Sequence, residues 1–198
     1  MKKSDDTRRR ILDASAKMFR RKGYDTTTLK DIAKIVKVRA PAIYYYFDSK
    51  EQLLEEILNI GIDRIHDAVL DAVTEPAAEA SHRERIEAAI QAHLTTLLRH
   101  SDYTAANIIN YHLAPKKIRK RHLIRRERYN DCWRLLLQEA QQAGEIEASV
   151  DLHHLRLFLL SALFWTHEWY RTEDEPIEAM AKRISGVLFD GIGGTKAK

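Results

Sequence analysis

Between Thr26 and Leu54 the chain reads TTTLKDIAKIVKVRAPAIYYYFDSKEQLL, and this stretch restricts the fold more than any other. Thr28 with Asp31 three residues later is a capping-box pair, and Leu29, Ile32, Ala33 and Val36 follow it at helical spacing. Lys37 and Val38 break that period. A second short helix is expected from about Ala40 to Tyr46, with Pro41 in its first turn, where backbone N–H groups have no helical partner. Asp48 and Ser49 break the chain again; Ser49 reads as a cap, and a long helix follows from Lys50 to about Val73. A capped helix, a tight turn and a short exposed helix make the helix-turn-helix arrangement, whose second helix enters the DNA major groove.

The flanking sequence fits the same pattern. Asp5 and Asp6 precede a helix whose residues Ile11, Leu12, Ser15, Met18 and Phe19 share one face. Arg20, Arg21 and Lys22 suit the negative end of its dipole, and Gly23 stops it. Further helices are expected at about 82–100, 103–113, 116–143, 151–172 and 176–190, the third ending at Gly144 and the last opening with Pro176 at its first position. Glu75 to Ser81 reads as a linker, and the tail from Gly191 as frayed. β-branched runs are few, with only seven glycines and four prolines, so the fold class is all-α. The expected division is a helix-turn-helix head over 5–65, with its motif at about 28–47, and a body over 66–198.

Charge sharpens that division. Residues 1–50 hold 14 Lys/Arg against 6 Asp/Glu, whereas the rest hold 19 against 23. A basic head on a mildly acidic body is the footprint of a DNA-binding module joined to something else, although a charge run also describes an ordinary solvated face. Charged residues interrupt every apolar stretch well short of a bilayer's thickness, and no apolar segment follows the basic start as a signal peptide would need. The single cysteine, Cys132, rules out an internal disulfide and fits a reducing cytoplasm.

On a helical wheel Ile43 and Phe47 share the inward face of the second short helix, and Pro41 and Tyr45 point the other way. Ala42 and Tyr44 lie on the flanks, with Tyr46 nearer the core edge. Three consecutive tyrosines cannot all face one core. Outward phenols can donate to phosphates, Pro41 and Ala42 can pack on thymine methyls, and Lys50 would add a phosphate contact at the next helix. Arg39 is the one side chain here suited to bidentate guanine recognition.

Residues 8–54 resemble the DNA-binding domain of the TetR family of transcriptional regulators. The matching residues are Ile11, Leu12, Ala14, Phe19, Gly23, Tyr24, Thr27, Thr28, Asp31, Ile32, Ala33, Val38, Ile43, Tyr44, Tyr46, Phe47, Ser49, Lys50, Glu51, Leu53 and Leu54. The resemblance implies DNA contacts from Thr28, Lys30, Pro41, Tyr44, Tyr45, Tyr46 and Lys50. Ala40 stands where a longer base-reading side chain is common, so DNA shape and phosphate contacts should count for more. Lys37 stands where the family usually has glycine, and Arg39 where a serine cap is common.

For the body, the resemblance implies two terminal helices pairing with their copies as a four-helix bundle. The candidate interface is Leu155, Leu159 and Leu163 with Ile177, Met180, Ile184, Val187 and Leu188; core packing within one chain leaves the same pattern. The stretch Ala162 to Arg171 resembles a TetR subgroup regulating fatty-acid and steroid catabolism, some members of which sense acyl-coenzyme A thioesters. It differs in carrying Glu168 where arginine is frequent. Candidate effector contacts are Trp165 and Trp169 as an aromatic wall, Trp133 and Tyr129 on the apolar side of their helix, and Tyr103, Asn107 and Tyr111 on the preceding one. For each, ordinary core packing is the alternative. From Lys116 to Arg128 there are eight Lys/Arg and one acid, Glu127; Arg125 and Arg128 belong to this run, which suits coenzyme A phosphates or a solvated face.

Metal and catalytic signatures are incomplete. Glu79 to His82 matches one half of a di-iron motif without the other, and His153-His154 and His167-Glu168 lack partners at ligand spacing. No Gly-rich phosphate loop or nucleophile elbow occurs. No metal, cofactor or catalysis is therefore expected. The reading is a cytoplasmic, homodimeric regulator, a repressor, that binds a palindromic double-stranded DNA operator and is released by a small-molecule effector, an acyl-CoA thioester. The alternatives are an efflux regulator responding to apolar or cationic drugs, and a DNA-binding protein without a ligand.

Overall fold

In the computed structural model, residues 2–74, 80–99, 102–171 and 175–191 are described, and every regular element among them is helical. In order they are α1 (Lys2–Lys22), α2 (Leu29–Val36), α3 (Ala40–Ile43), α4 (Lys50–Thr74), α5 (His82–Arg99), α6 (Asp102–Asn110), a 3-10 turn (Tyr111–Leu113), α7 (Lys116–Gln142), α8 (Leu152–Trp169) and α9 (Ile177–Asp190). The expected frayed tail beyond Gly191 lies outside the described residues, as do Glu79 of the partial di-iron motif and nearly all of the expected linker.

Several ends differ from the periodicity reading. α1 starts before Asp5 and Asp6, which are inside it. α8 stops at Trp169, where the Tyr170 N–H still reaches back to the Thr166 carbonyl and the Tyr170 hydroxyl donates to the Glu175 carbonyl at 2.8 Å. Pro176 is the residue before α9, with extended backbone, one position earlier than expected. Gly23 and Gly144 end α1 and α7 at φ +81° and +78°, a left-handed conformation open to glycine at little cost.

The chain divides into two compact units: residues 1–64 with 100–129, and 65–99 with 130–198. The first is built on Ile11, Phe19, Ile32, Ile43, Phe47, Leu53, Leu54, Ile57 and Leu58, all essentially buried. Each such side chain contributes about 1.5–3 kcal/mol by leaving water. The unit extends past the three head helices because α6 and the start of α7 close the same core with Tyr103, Ala106 and Ile118. Polar residues fix the register of α6 on α1. The Tyr103 hydroxyl donates to Asp13 at 2.8 Å, and Asn110 accepts from the Tyr24 N–H at 2.8 Å while donating to the Phe19 carbonyl at 3.1 Å.

A run of polar pairs joins α4 to α7 in this unit. Glu55 pairs with Arg121 at 2.5 Å, Asn59 with His122 at 2.9 Å, and Asp63 with Arg125. These three α4 residues are spaced by four, so they line one face of the helix. Gly61 permits α6 to lie close: a Cβ there would be 2.6 Å from the Tyr103 carbonyl oxygen and 2.8 Å from Asn107 Cβ.

The second unit packs α5 against α8 and α9. Its core includes Ile86, Ile90 and Leu94 of α5, Leu159 and Leu163 of α8, Ile177 and Met180 of α9, and Trp133 and Leu137 of α7. Glu145 accepts from the His82 and Arg83 N–H groups at 3.0 and 2.8 Å, satisfying otherwise orphaned donors at the start of α5. Asp151 does the same for α8 through the His154 N–H at 3.0 Å.

Candidate nucleic-acid interface

The capping box opens α2 as its sequence requires. The Thr28 hydroxyl accepts from the Asp31 N–H at 3.2 Å and donates to the Asp31 carboxylate at 2.7 Å, and the same carboxylate takes the Thr28 N–H at 3.2 Å. These bonds hold the Asp31 carboxyl below the usual carboxylate range, so it is ionised at neutral pH. Lys37 then turns the chain at φ 58°, ψ 45°, and it is the one non-glycine with positive φ among the described residues. The position that usually carries glycine thus keeps its left-handed geometry at a steric cost of about 1–2 kcal/mol.

Arg39 precedes α3 without capping it through its side chain, and its side chain is exposed. The α-helix itself covers only Ala40–Ile43. Tyr44, Tyr45 and Tyr46 continue it as a tighter turn in which Tyr45 and Tyr46 N–H groups reach the Ala42 and Ile43 carbonyls at 3.3 and 2.9 Å. Phe47 must turn into the core four residues after Ile43, which leaves little room for a longer helix. The wheel is nevertheless obeyed. Ile43 and Phe47 are buried, Pro41 is exposed, and Tyr44 and Tyr45 are 58% and 81% exposed. Tyr46 is half-buried, edge-on to Tyr45 with centroids 5.1 Å apart.

Thr28, Lys30, Tyr44 and Ser49 help line a cleft of about 630 Å³ in the first unit, together with the acidic Asp25, Asp48 and Glu51. Thr28 and Lys30 are exposed and Ala40 is half-buried. Lys50 lies in the same cleft but is committed differently from the sequence expectation. Its ammonium donates to the Tyr24 and Thr27 carbonyls at 3.0 and 3.1 Å and lies 4.1 Å from the Tyr24 ring centroid. Two of its three donors are therefore used inside the head, where they fix the start of α4 against the loop before α2.

Residues 11–57 match the model of bacterial regulatory proteins of the tetR family, and residues 79–192 match the tetracyclin repressor-like C-terminal domain. The chain belongs to the TetR family. Over 206 aligned residues it is 24% identical to the HTH-type transcriptional repressor KstR2 of Rhodococcus jostii, covering 96% of this chain and 95% of that protein. The biofilm operon regulator IcaR of Staphylococcus aureus is 38% identical over 61 residues, 31% of this chain and 33% of that one. Among solved structures, AibR in complex with isovaleryl coenzyme A and operator DNA superposes with a TM-score of 0.82 at 25% identity, covering 92% of this chain and 98% of that one. The protein is a helix-turn-helix transcriptional regulator of the TetR type, and regulators of this family bind operator DNA as dimers.

The body residues of this TetR protein distribute less simply. Leu159, Leu163, Ile177 and Met180, expected on a dimer face, are at most 3% exposed inside their own unit. Leu155, Ile184 and Leu188 are half-buried and Val187 is exposed. The outward face of α8 carries Phe158, Trp165 and Trp169 instead, 72%, 63% and 51% exposed. α8 is apolar nearly all round, and periodicity does not say which side meets the core.

Of the expected effector residues in the first unit, Tyr103, Asn107 and Tyr129 are buried. Arg64 stacks over Tyr103, Asn107 donates to the Leu58 carbonyl at 2.5 Å, and Tyr111 lies under Arg126. Arg125 is taken by Asp63, and Arg128 is exposed. In the second unit Trp133 is fully buried, whereas Trp165 and Trp169 face outward. Sequence reasoning missed His122 and His93. Burial holds both neutral, with pKa values lowered to about 4 and about 3. Among the described residues no cluster of His, Cys, Asp or Glu could hold a metal ion, and no helix is long and apolar enough to cross a membrane.

Proposed function

We propose that this protein represses transcription by holding a palindromic operator as a homodimer in the cytoplasm, and that an acyl-CoA thioester bound in its body releases it. The observation that carries the DNA reading is the outward face of the recognition turn: exposed Pro41, Tyr44 and Tyr45 over an anchored Ile43 and Phe47. Thr28 and Lys30 beside it supply phosphate contacts, and Arg39 supplies base contact. Two heads would read half-sites about one helical turn (~34–36 Å) apart. The outward aromatic face of α8, with Val187 of α9, is the proposed dimer surface. The protein acts by binding and not by turnover.

The effector class rests on AibR, whose complex holds isovaleryl coenzyme A together with operator DNA. The test follows tryptophan emission while isovaleryl- and longer acyl-CoA thioesters, free acids and coenzyme A are titrated in, and then operator occupancy under the same ligands. Saturable quenching by thioesters alone is expected, with operator affinity falling about 5- to 150-fold, the range of a coupling of about 1–3 kcal/mol. Intact DNA binding with no response to any thioester would remove the acyl-CoA assignment and direct the search to apolar or cationic drugs.

A further inference from the structure

Lys116, Lys117, Arg119 and Lys120 fill the opening of α7, the end of a helix where cations oppose the macrodipole, and no acidic residue offsets them in the first turn. A sequence selected for helix stability alone would place carboxylates there. Further along the same run the charges are engaged locally: Arg121 pairs with Glu55, Arg125 with Asp63, and Arg126 lies over the Tyr111 ring. Lys116, Lys117 and Lys120 are exposed, and of the three Lys117 acts electrostatically on Glu55. At 100° per residue the three lie within one 100° arc, with buried Ile118 on the opposite side.

Their position relates them to the DNA-reading face. Lys117 and Pro115 share a cleft of about 340 Å³ with Ser49, Gln52 and the carboxylate residues Asp48, Glu51 and Glu55, just after the recognition turn. Of these carboxylates Glu55 is engaged by Arg121, which holds it below the usual range. The start of α7 thus presents an arc of exposed lysines beside a cleft that itself carries three carboxylates, so the positive surface is the lysine arc and not the cleft.

We infer that Lys116, Lys117 and Lys120 form an accessory DNA-contact surface that neutralises backbone phosphates flanking the half-site held by the same head. The inference rests on the DNA-binding reading above and assigns part of the basic run to DNA instead of to the effector. Duplex phosphate fits because the lysine arc is exposed, cationic and next to the recognition turn.

The test compares wild type with the triple variant Lys116→Ala, Lys117→Ala, Lys120→Ala. Wild-type protein first selects duplexes of about 40 base pairs from a random pool, long enough for two half-sites and their flanks. Affinity is then measured from about 50 to 200 mM salt on a selected duplex and on the same half-sites trimmed of flanks. If each head of the variant neutralises about one phosphate fewer, the slope of log K against log salt on the long duplex should become shallower by about 2, with about ten-fold weaker binding at physiological salt. On the trimmed duplex the variant should match wild type, and its melting curve should show an intact fold. Equal slopes on the long duplex would overturn the inference, as would an equal loss on both duplexes. Loss of coenzyme A binding with unchanged slopes would return the lysines to the effector. A pool from which wild type enriches nothing would sink the DNA reading itself, and the accessory surface with it.

Discussion

Two histidines make the stability of this protein respond to acid in a definite direction. His93 is fully buried beside Phe164, with ring centroids 4.8 Å apart, and His122 is held between Asn59 and Asn107 at 2.9 and 3.3 Å. Burial lowers their pKa values to about 3 and about 4, so the folded protein refuses protons that the unfolded chain accepts near pH 6.5. Their contribution is therefore complete above about pH 6.5 and declines as pH falls toward 4, by up to about 1.4 kcal/mol per pH unit for each histidine. Urea midpoints measured between about pH 7.5 and 5 should fall accordingly, and His122→Gln should flatten the profile by about one proton. A profile unchanged by that substitution would show that His122 is not one of the responsible groups. Neither histidine was legible in the sequence, because a lone histidine at helical spacing looks the same in a core and on a surface. Lys50 was opaque for a similar reason: its partners are carbonyls of a loop 26 and 23 residues away, and carbonyls leave no trace in residue identity.

At the scale of elements, local chemistry was read well and facing was read badly. The wheel placed Ile43 and Phe47 inward and Pro41 and Tyr45 outward because a short helix with one core has one possible orientation. The same reasoning failed on α8, where Leu159 and Leu163 are committed to the core, Phe164 packs beside His93, and Leu157, Phe158 and Trp165 are left outside. That arrangement makes a sharp prediction for Phe158→Asp. At 72% exposure the substitution should leave the melting temperature of the isolated subunit nearly unchanged, yet a charge inside the proposed interface should convert dimer to monomer in sedimentation velocity. A variant that stays dimeric would place the interface elsewhere. Gly61 shows an element-level constraint of another kind. Glycine costs about 0.5–1 kcal/mol within a helix, and here it admits the Tyr103 backbone at a distance no side chain allows.

For the molecule as a whole, the excess of basic residues before position 50 falls in the part that matches the tetR-family model, and the all-helical class followed from periodicity. The grouping of α6 and the start of α7 with the head helices was not legible. It depends on Tyr103, Asn110 and Ile118 reaching residues about 50 to 90 positions away, and such pairings are invisible to any window along the chain.

One further consequence follows from the proposed role of Arg39 as the base reader of the head. Arg39 is the only arginine between Thr28 and Phe47, and that stretch has no asparagine or glutamine. A bidentate contact is worth about 1–3 kcal/mol of discrimination against the wrong base, so an alignment of selected sites should show one tall guanine per half-site among low, broad letters. Arg39→Ala should level that letter, and a logo with several tall columns that survive the substitution would refute the assignment. A code of so few bits names many places on a chromosome, where about 10⁶ or more sites compete. Occupancy would then be graded by copy number and by the pliability of each site, so that one repressor serves a ranked list of promoters and not a single switch.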